Sequence, residues 1–281
     1  MHRAVCPLAL SAGIVAAAVA MAPAAAAADS AAKSGQSALT VAAITECTDA
    51  ARQVPPPTPD QPVYVVTHAG GRHDFGRPVA GPEAPTDAVL QQQLDAALAA
   101  DHYLAATADH PPSVLLILTW GLHANLDDAI EDPRHSNVLD RAALVGGIKF
   151  AADFTAALKA NDMSVAATSN QLFGAQLPGM KPTRASSLFQ GFSPMEAFRR
   201  RDLLTRRLLD QISYDCYYVV VSALDYAALA KGERRWLWRT KLSASAQGAS
   251  LARTIPALIK AGTGRFGRDM AGPELVSVPT E

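Results

Sequence analysis

The segment that decides the fold spans residues 216–243 and reads CYYVVVSALDYAALAKGERRWLWRTKLS. Its first part, residues 217–224, is almost continuously apolar, which is typical of a strand that is buried on both faces. Residues 235–242 alternate between two sets of side chains, and a period of two indicates a strand with two different faces. A charged, glycine-containing segment, residues 225–234, separates the two strands. The pattern therefore predicts an antiparallel hairpin with a long loop.

The alternation assigns the aromatic and the basic residues of this hairpin to opposite faces. Trp236 and Trp238 fall on one face, and Arg235 and Arg239 fall on the other. A platform that stacks single-stranded nucleic acid needs aromatic and cationic side chains together along one groove. We therefore predict that the two tryptophans, together with Tyr218, belong to the structural core and that nucleic acid is not a partner.

A strand, a helix and a second strand precede the hairpin. Residues 62–67 are β-branched and aromatic, as expected of a strand. Thr86 can cap a helix in which leucine recurs at every fourth position from Leu90. Residues 114–119 form a continuous apolar run that indicates a buried strand. The short links between these elements predict a right-handed βαβ crossover, whose two strands are parallel.

These units predict an α+β fold with a mixed sheet of about four strands. The βαβ unit supplies one half of the sheet and the hairpin the other, and helices pack on the sheet. We place this single domain at residues 62–267 and assign about residues 122–215 to a helical insertion. Residues 29–61 are small, polar and proline-bearing, so we expect an N-terminal arm or linker there. Residues 268–281 are expected to form a C-terminal tail.

Residues 1–28 have the three-part composition of a secretory signal peptide. A short basic start precedes an apolar stretch at residues 4–22, and three alanines, residues 26–28, end the segment. This composition predicts cleavage after Ala28 and a periplasmic or secreted protein that is not stably inserted in the membrane. An uncleaved membrane anchor is the alternative, because the apolar stretch approaches the length that spans a bilayer.

Cleavage would remove Cys6 and leave two cysteines, Cys47 and Cys216. An exported protein meets an oxidising compartment, where cysteines often pair. A Cys47–Cys216 disulfide is therefore one expectation. Two free thiols are the alternative, because the sequence does not show whether the two residues lie close together.

Imidazole and carboxylate side chains follow the two strands that are predicted to be parallel. His68 follows the first strand, His73 lies in the adjoining glycine-rich loop, and His123 and Asp127 follow the second strand. Parallel strands end at the same edge of a sheet, and ligands bind at that edge in open α/β folds. These side chains could hold a metal ion such as zinc or form an acid/base pair. The alternative interpretation is a set of solvated polar loops without a common site.

Residues 262–267 read GTGRFG and match the dinucleotide-binding fingerprint by letter. The fingerprint functions at a turn from a strand into a helix, where the helix N-terminus receives the pyrophosphate. Here the motif follows the predicted closing helix of the chain. We therefore expect no cofactor.

Short motifs on both sides of the insertion occur in a recognisable order. A helix is followed by His-Tyr at residues 102–103 and by Pro-Pro-Ser at residues 111–113, directly before an apolar strand. A later strand ends near Asp225, and a Lys-Gly turn then leads to Trp-Arg at residues 238–239 and a closing helix. This order resembles a family of bacterial envelope lipoproteins of unknown function.

The resemblance covers roughly residues 62–121 and 217–267. The chain departs from the family in three ways: it has no lipobox, it has Asp-His where the family has Lys-Gly before the tyrosine, and residues 122–215 are an insertion. The resemblance implies a location in the cell envelope. It carries no catalytic residues.

The formal net charge of −1 gives no overall field that would recruit nucleic acid or an anionic membrane. No complete catalytic motif occurs in the sequence. We therefore predict a non-enzymatic accessory protein of the envelope that acts through contacts with another, unidentified envelope protein. The alternative is a metal-dependent or acid/base hydrolase that uses His68, His73, His123 and Asp127.

Overall fold

The computed structural model describes residues 38–75, 84–124, 136–174 and 193–279, except for the side chains of residues 136, 137 and 164–174. The predicted signal peptide and Asp127 lie outside the described residues. The strands, in chain order, are β1 (Ala38–Cys47), β2 (Val63–Arg72), β3 (Tyr103–Ala105), β4 (Val114–His123), β5 (Cys216–Asp225), β6 (Trp236–Ser245) and β7 (Glu274–Pro279). The helices are α1 (Asp49–Arg52), α2 (Asp87–Ala100), α3 (Ser136–Gly174), α4 (Pro194–Arg199), α5 (Leu203–Ile212), α6 (Tyr226–Leu229) and α7 (Leu251–Gly262).

The seven strands form one mixed sheet in the order β3-β2-β4-β5-β6-β1-β7. The strand β2 is parallel to both β3 and β4. The remaining neighbours, from β4 through β5, β6 and β1 to β7, are antiparallel. The sheet curls into a half-barrel. The two predicted units are present, since β2 and β4 flank α2 in parallel and β5 and β6 form the antiparallel hairpin.

The prediction of about four strands is wrong, because β1, β3 and β7 were not anticipated. The strand β1 lies in the segment that we assigned to the arm or linker, and its sequence ALTVAAITEC contains alanines, which have low strand propensity. Two antiparallel partners, β6 and β7, hold it in the sheet. The strand β7 lies in the predicted tail, and β3 contains only three residues. The fold remains α+β in kind.

The helices α2 and α7 pack on one side of the sheet, which we call the α2 face. Leu94 and Leu98 of α2 and Ile255 and Leu258 of α7 are buried there against Leu116 of β4. Thr86 caps α2, because its hydroxyl oxygen accepts a hydrogen bond from the Val89 backbone N–H. Burial of each large apolar side chain contributes on the order of 2 kcal/mol. This face forms the main hydrophobic core.

The helices α3 and α5 pack on the opposite side of the sheet, which we call the α3 face. Val145 of α3 and Leu208 and Ile212 of α5 form a second core with Ala42 of β1 and Cys216 of β5. Away from the bulges in β2 and β6, every second residue of a strand points to this face.

A bend at Gly147 and a buried ion pair attach α3 to the sheet. Gly147 has a φ of 82°, and a Cβ at this position would lie 2.9 Å from Glu46 Oε1, so glycine is required. Lys241 Nζ lies 2.8 Å from Glu46 Oε2 and donates a 2.8 Å hydrogen bond to the Ala143 carbonyl. The other Glu46 oxygen accepts a hydrogen bond from the Ile148 N–H. These contacts connect both sides of the bend to β1 and β6.

Candidate functional site

A pocket of about 550 Å³ lies on the α3 face, between α3 and the strands β4, β5 and β6. Alternation along the strands determines its floor. Each strand contributes residues spaced two apart: Ile117 and Thr119 from β4, Val220 and Ser222 from β5, and Arg239 with Lys241 from β6. A pocket of this volume is in the range that holds small organic ligands.

A β-bulge brings Trp236 to the rim of this pocket. Along β6, Trp236 pairs with Leu224 and Trp238 pairs with the next residue, Ala223, so that Leu237 is the extra residue. A bulge of this kind reverses the faces on either side of it. Trp236 therefore shares the pocket with Arg239, and its side chain is 40% exposed. The prediction that Trp236 belongs to the core is wrong.

The other two residues that we assigned to the core are buried. Trp238 is 5% exposed and lies on the α2 face, with its ring centroid 5.7 Å from that of Tyr103 and 6.4 Å from that of Phe266. Tyr218 is 2% exposed, and its hydroxyl donates a hydrogen bond to the His73 carbonyl. Burial raises the pKa of Tyr218 above its usual range, so its hydroxyl stays protonated.

Arg239 provides a positive charge at the rim. Its guanidinium carbon lies 5.1 Å from the centroid of the Trp236 ring, a cation–π geometry. Its Nε donates a 3.1 Å hydrogen bond to Ser222 Oγ. Glu46 is its register partner on β1, but the carboxylate of Glu46 binds Lys241 instead. Within the described parts of the chain, Arg239 has no ion pair.

Lys241 adds no free charge to the pocket. Its side chain is 9% exposed, and the contact with Glu46 neutralises it. Lys241 and Arg239 therefore differ in role, although they lie two residues apart on one strand. Lys241 attaches α3, whereas Arg239 remains accessible to a ligand.

His123 lies at the other end of the pocket. It is 3% exposed, and the Phe75 ring stacks on it with the centroids 5.1 Å apart. Burial lowers the pKa of His123 to about 4, and the charge of Arg141 acts in the same direction. The imidazole is therefore neutral near pH 7. Among the described residues, nothing forms a hydrogen bond with its buried Nδ1.

The structure does not bring the predicted histidines together. His68 is exposed on β2 and pairs with Ile117, six positions before His123 on β4, which corresponds to about 20 Å along the strand. His73 is also exposed, and its ring Nε2 forms a 3.1 Å hydrogen bond with the Gly70 carbonyl. Over the described ranges, no group of three or more His, Cys, Asp or Glu side chains could hold a metal ion.

The two cysteines are free in the structure and lie far apart. Cys47 pairs with Trp238, and Cys216 pairs with Ser245, so the two cysteines lie near opposite ends of β6, roughly 20 Å apart. A disulfide needs Cα atoms within about 7 Å, so the expected Cys47–Cys216 bridge does not fit this fold. Burial raises the pKa of Cys47 to about 11 and that of Cys216 to about 12.

The glycine-rich segment after α7 binds a carboxylate of the chain itself. The Gly264 backbone N–H points between both oxygens of Asp101, at 2.8 Å from each. The Phe266 N–H also donates to Asp101, at 3.4 Å. The segment therefore connects the end of α7 to the end of α2, and its backbone amides are already used.

A second cavity of about 520 Å³ lies between α2 and α7. Its polar side chains are those of Gln93, Arg253, Lys260 and Thr263, and alanines and prolines contribute much of the rest. It contains no buried imidazole and no stacked aromatic ring. The pocket on the α3 face therefore offers more specific chemistry.

Sequence reasoning did not identify the important polar residues of the α3-face pocket as site residues. These are Arg239, Ser222 and the Glu46–Lys241 pair. One signal was present, since Arg239 and Lys241 place two cations within a strand of the predicted hairpin. A cation on a central strand must have a partner or face a polar cavity.

Within the described residues, none of the helices combines the length and the apolar character that a bilayer-spanning segment needs.

In comparisons with known proteins, no family model matches this sequence. No curated protein matches it either.

Proposed function

We propose that this chain is a non-enzymatic accessory protein of the cell envelope or the secreted fraction, and that the α3-face pocket is its binding site. The placement outside the cytoplasm rests on the composition of residues 1–28. The binding role rests on the pocket.

One observation supports binding most directly. A pocket of about 550 Å³ combines apolar side chains such as Val220 and Leu144 with an arginine at one end, which has no ion pair among the described residues, and a buried imidazole at the other end. Ligand sites have this composition, with a largely apolar lining and a few fixed polar groups. A nucleophile hydrogen-bonded to a base, which covalent catalysis requires, does not occur among the described lining residues.

The geometry gives less support to the hydrolase alternative. A metal ion or an acid/base pair needs its side chains within a few ångströms of one atom. The register partner of His68 on β4, Ile117, lies about 20 Å along that strand from His123, and the ring of His73 is exposed and bonded to the Gly70 carbonyl. The binding role therefore remains the one that we propose.

The neutral dye Nile red tests the pocket without reference to charge. Its fluorescence rises when it enters an apolar site, so we expect saturable binding to the folded mature protein. Val220→Trp would place a large ring in the pocket floor and should abolish that binding. Leu104→Trp adds a similar volume on the edge strand β3, outside the pocket lining, and should leave the binding unchanged. Equal Nile red binding by both variants would contradict the proposed site.

The proposal also includes a protein partner in the envelope. Crosslinking in the native cell, followed by purification of this chain, should recover the same envelope protein in repeated experiments. If no partner recurs, the proposed action through protein contacts is wrong, whereas ligand binding in the pocket is tested separately by the dye.

A further inference from the structure

We propose that the ligand is an amphiphilic anion, a straight-chain carboxylate, whose headgroup binds Arg239 and whose chain lies along β4 and β5 towards Phe75. This inference rests on the proposed function, because it assumes that the α3-face pocket is a binding site. It adds the chemical class and the orientation of the ligand.

The rim of the pocket fits an anionic headgroup. Arg239 uses its Nε for Ser222 Oγ at 3.1 Å, and its guanidinium carbon lies over the Trp236 ring, 5.1 Å from the centroid. These two contacts hold the side chain in one orientation, which lowers the entropy lost on binding. Among the described residues, no carboxylate pairs with its two terminal nitrogens. A planar guanidinium with free donors matches the two oxygens of a carboxylate.

The charges along the pocket determine the orientation of the ligand. Asp140 lines the pocket and acts electrostatically on His123, so its negative charge belongs to the end opposite Arg239. Lys241, between the two ends, is neutralised by Glu46. Arg141 also acts on His123, but it is 2% exposed and does not line the pocket, whereas Arg239 lines the pocket and has no ion pair among the described residues. An anionic headgroup is therefore attracted to the Arg239 end.

The lining offers apolar atoms to an extended chain, beside the polar Thr119 and the neutralised Lys241. Ile117 and Val220 contribute apolar atoms from the strands, and Leu144 contributes them from α3. The lining runs along β4 from Ile117 to His123, six residues or about 20 Å. Phe75 stacks on His123 and covers much of that imidazole with an apolar ring. The pocket is therefore elongated, and Arg239, which has no ion pair among the described residues, lies at one end.

Three probes with the same chain and different headgroups test this assignment: dodecanoate, dodecanol and dodecyltrimethylammonium. Their affinities are measured by displacement of Nile red from the mature protein, below the concentrations at which the probes aggregate. We expect dodecanoate to bind about 10-fold or more tightly than dodecanol, because a charge-assisted hydrogen bond contributes at least that factor. Dodecyltrimethylammonium should be the weakest of the three.

Arg239→Gln should remove the preference, so that dodecanoate binds within about threefold of dodecanol while dodecanol itself binds as before. Arg235→Gln is the matched control. Arg235 precedes the same strand, pairs with Asp225 and Glu233 and lies outside the pocket lining, so this variant should keep the wild-type preference.

The outcomes separate the two proposals. Equal affinity for dodecanoate and dodecanol in the wild type would overturn the anionic headgroup and leave the binding site intact. A preference that persists in Arg239→Gln would overturn the role of Arg239. Failure of both the dye and all three chains to bind would overturn the proposed function as well.

Discussion

Trp236 and Trp238 are two residues apart on β6 and have opposite environments, because the bulge at Leu237 reverses the faces. Trp238 is buried between Tyr103 and Phe266 on the α2 face, whereas Trp236 lies over Arg239 at the rim of the pocket. One residue type therefore packs in the core at one position and lines the pocket at the other.

We expect Trp238→Ala to lower the free energy of unfolding by about 3–5 kcal/mol, because it leaves a cavity in the main core. Trp236→Ala should lower it by less than about 1 kcal/mol, because that ring is already 40% exposed. Urea unfolding, monitored by circular dichroism, measures both changes in the free energy of unfolding. Equal losses would show that the two rings share one environment, contrary to the observed bulge.

His123 makes stability depend on pH. Burial lowers its folded-state pKa to about 4, below the usual value of 6.5 in the unfolded chain. The unfolded state therefore binds more protons between these values, and the stability contributed by the neutral imidazole is present above pH 6.5 and is lost as the pH falls towards 4. Arg141 lowers this pKa, and Asp140 and Asp215 raise it.

We expect the free energy of unfolding to fall by at most about 3 kcal/mol from this group between pH 6.5 and 4. In His123→Gln the loss over that range should be smaller. Urea unfolding at several pH values measures the difference between the two proteins. Identical pH profiles for the variant and the wild type would contradict the lowered pKa.

The attachment of α3 to the sheet depends on a few polar contacts between elements. Lys241 on β6 reaches both Glu46 on β1 and the Ala143 carbonyl on α3. Removing one partner of a buried ion pair leaves the other charge without compensation. Of the contacts between α3 and the sheet, we therefore expect the loss of this pair to lower the free energy of unfolding the most.

Lys241→Ala should lower the free energy of unfolding by about 3 kcal/mol. The control is Arg200→Ala, which breaks an exposed pair with Glu196 within one helical segment and should cost less than about 1 kcal/mol. Chemical denaturation gives both values. Similar small losses in the two variants would show that the Lys241 pair does not anchor α3.

The elements with clear local patterns could be predicted from the sequence. The leucines of α2 and the apolar run of β4 gave the βαβ unit, and the alternation of residues 235–242 gave the hairpin. The strand β1 could not be predicted, because its alanines have low strand propensity and its pairing with β6 and β7 is long-range. The bulge at Leu237 also depends on strand pairing, so the sequence did not reveal it. The position of Trp236 and most of the pocket follow from that bulge.

The segment from Pro194 to Ile212 forms two helices, α4 and α5, for a local reason. Asp202 caps a new helix, because its side chain accepts hydrogen bonds from both the backbone N–H and the hydroxyl of Thr205. At the start of α4, the side chain of Ser193 makes no capping hydrogen bond, and Glu196 pairs with Arg200. A competing cap within the segment therefore ends the first helix at Arg199.

Across the whole molecule, the sheet separates the two cysteines. In a protein that begins at Asp29, we expect denaturation without reductant to expose two thiols, those of Cys47 and Cys216. In the native state both should react slowly with a thiol reagent at pH 8, because burial raises their pKa values to about 11 and about 12. A count of no free thiols after denaturation would show that a disulfide forms and that the described register is wrong.

The central claim concerns one face of the molecule: an amphiphilic carboxylate binds in the α3-face pocket. The chain contains three tryptophans, and each has an indole N–H that gives its own signal in a ¹H–¹⁵N spectrum. Trp236 lines the pocket, whereas Trp120 and Trp238 belong to the core on the α2 face. Titration with dodecanoate should shift the Trp236 indole signal saturably and leave the other two in place. A Trp236 signal that does not move at saturating dodecanoate, or a shift confined to Trp120 and Trp238, would contradict the claim.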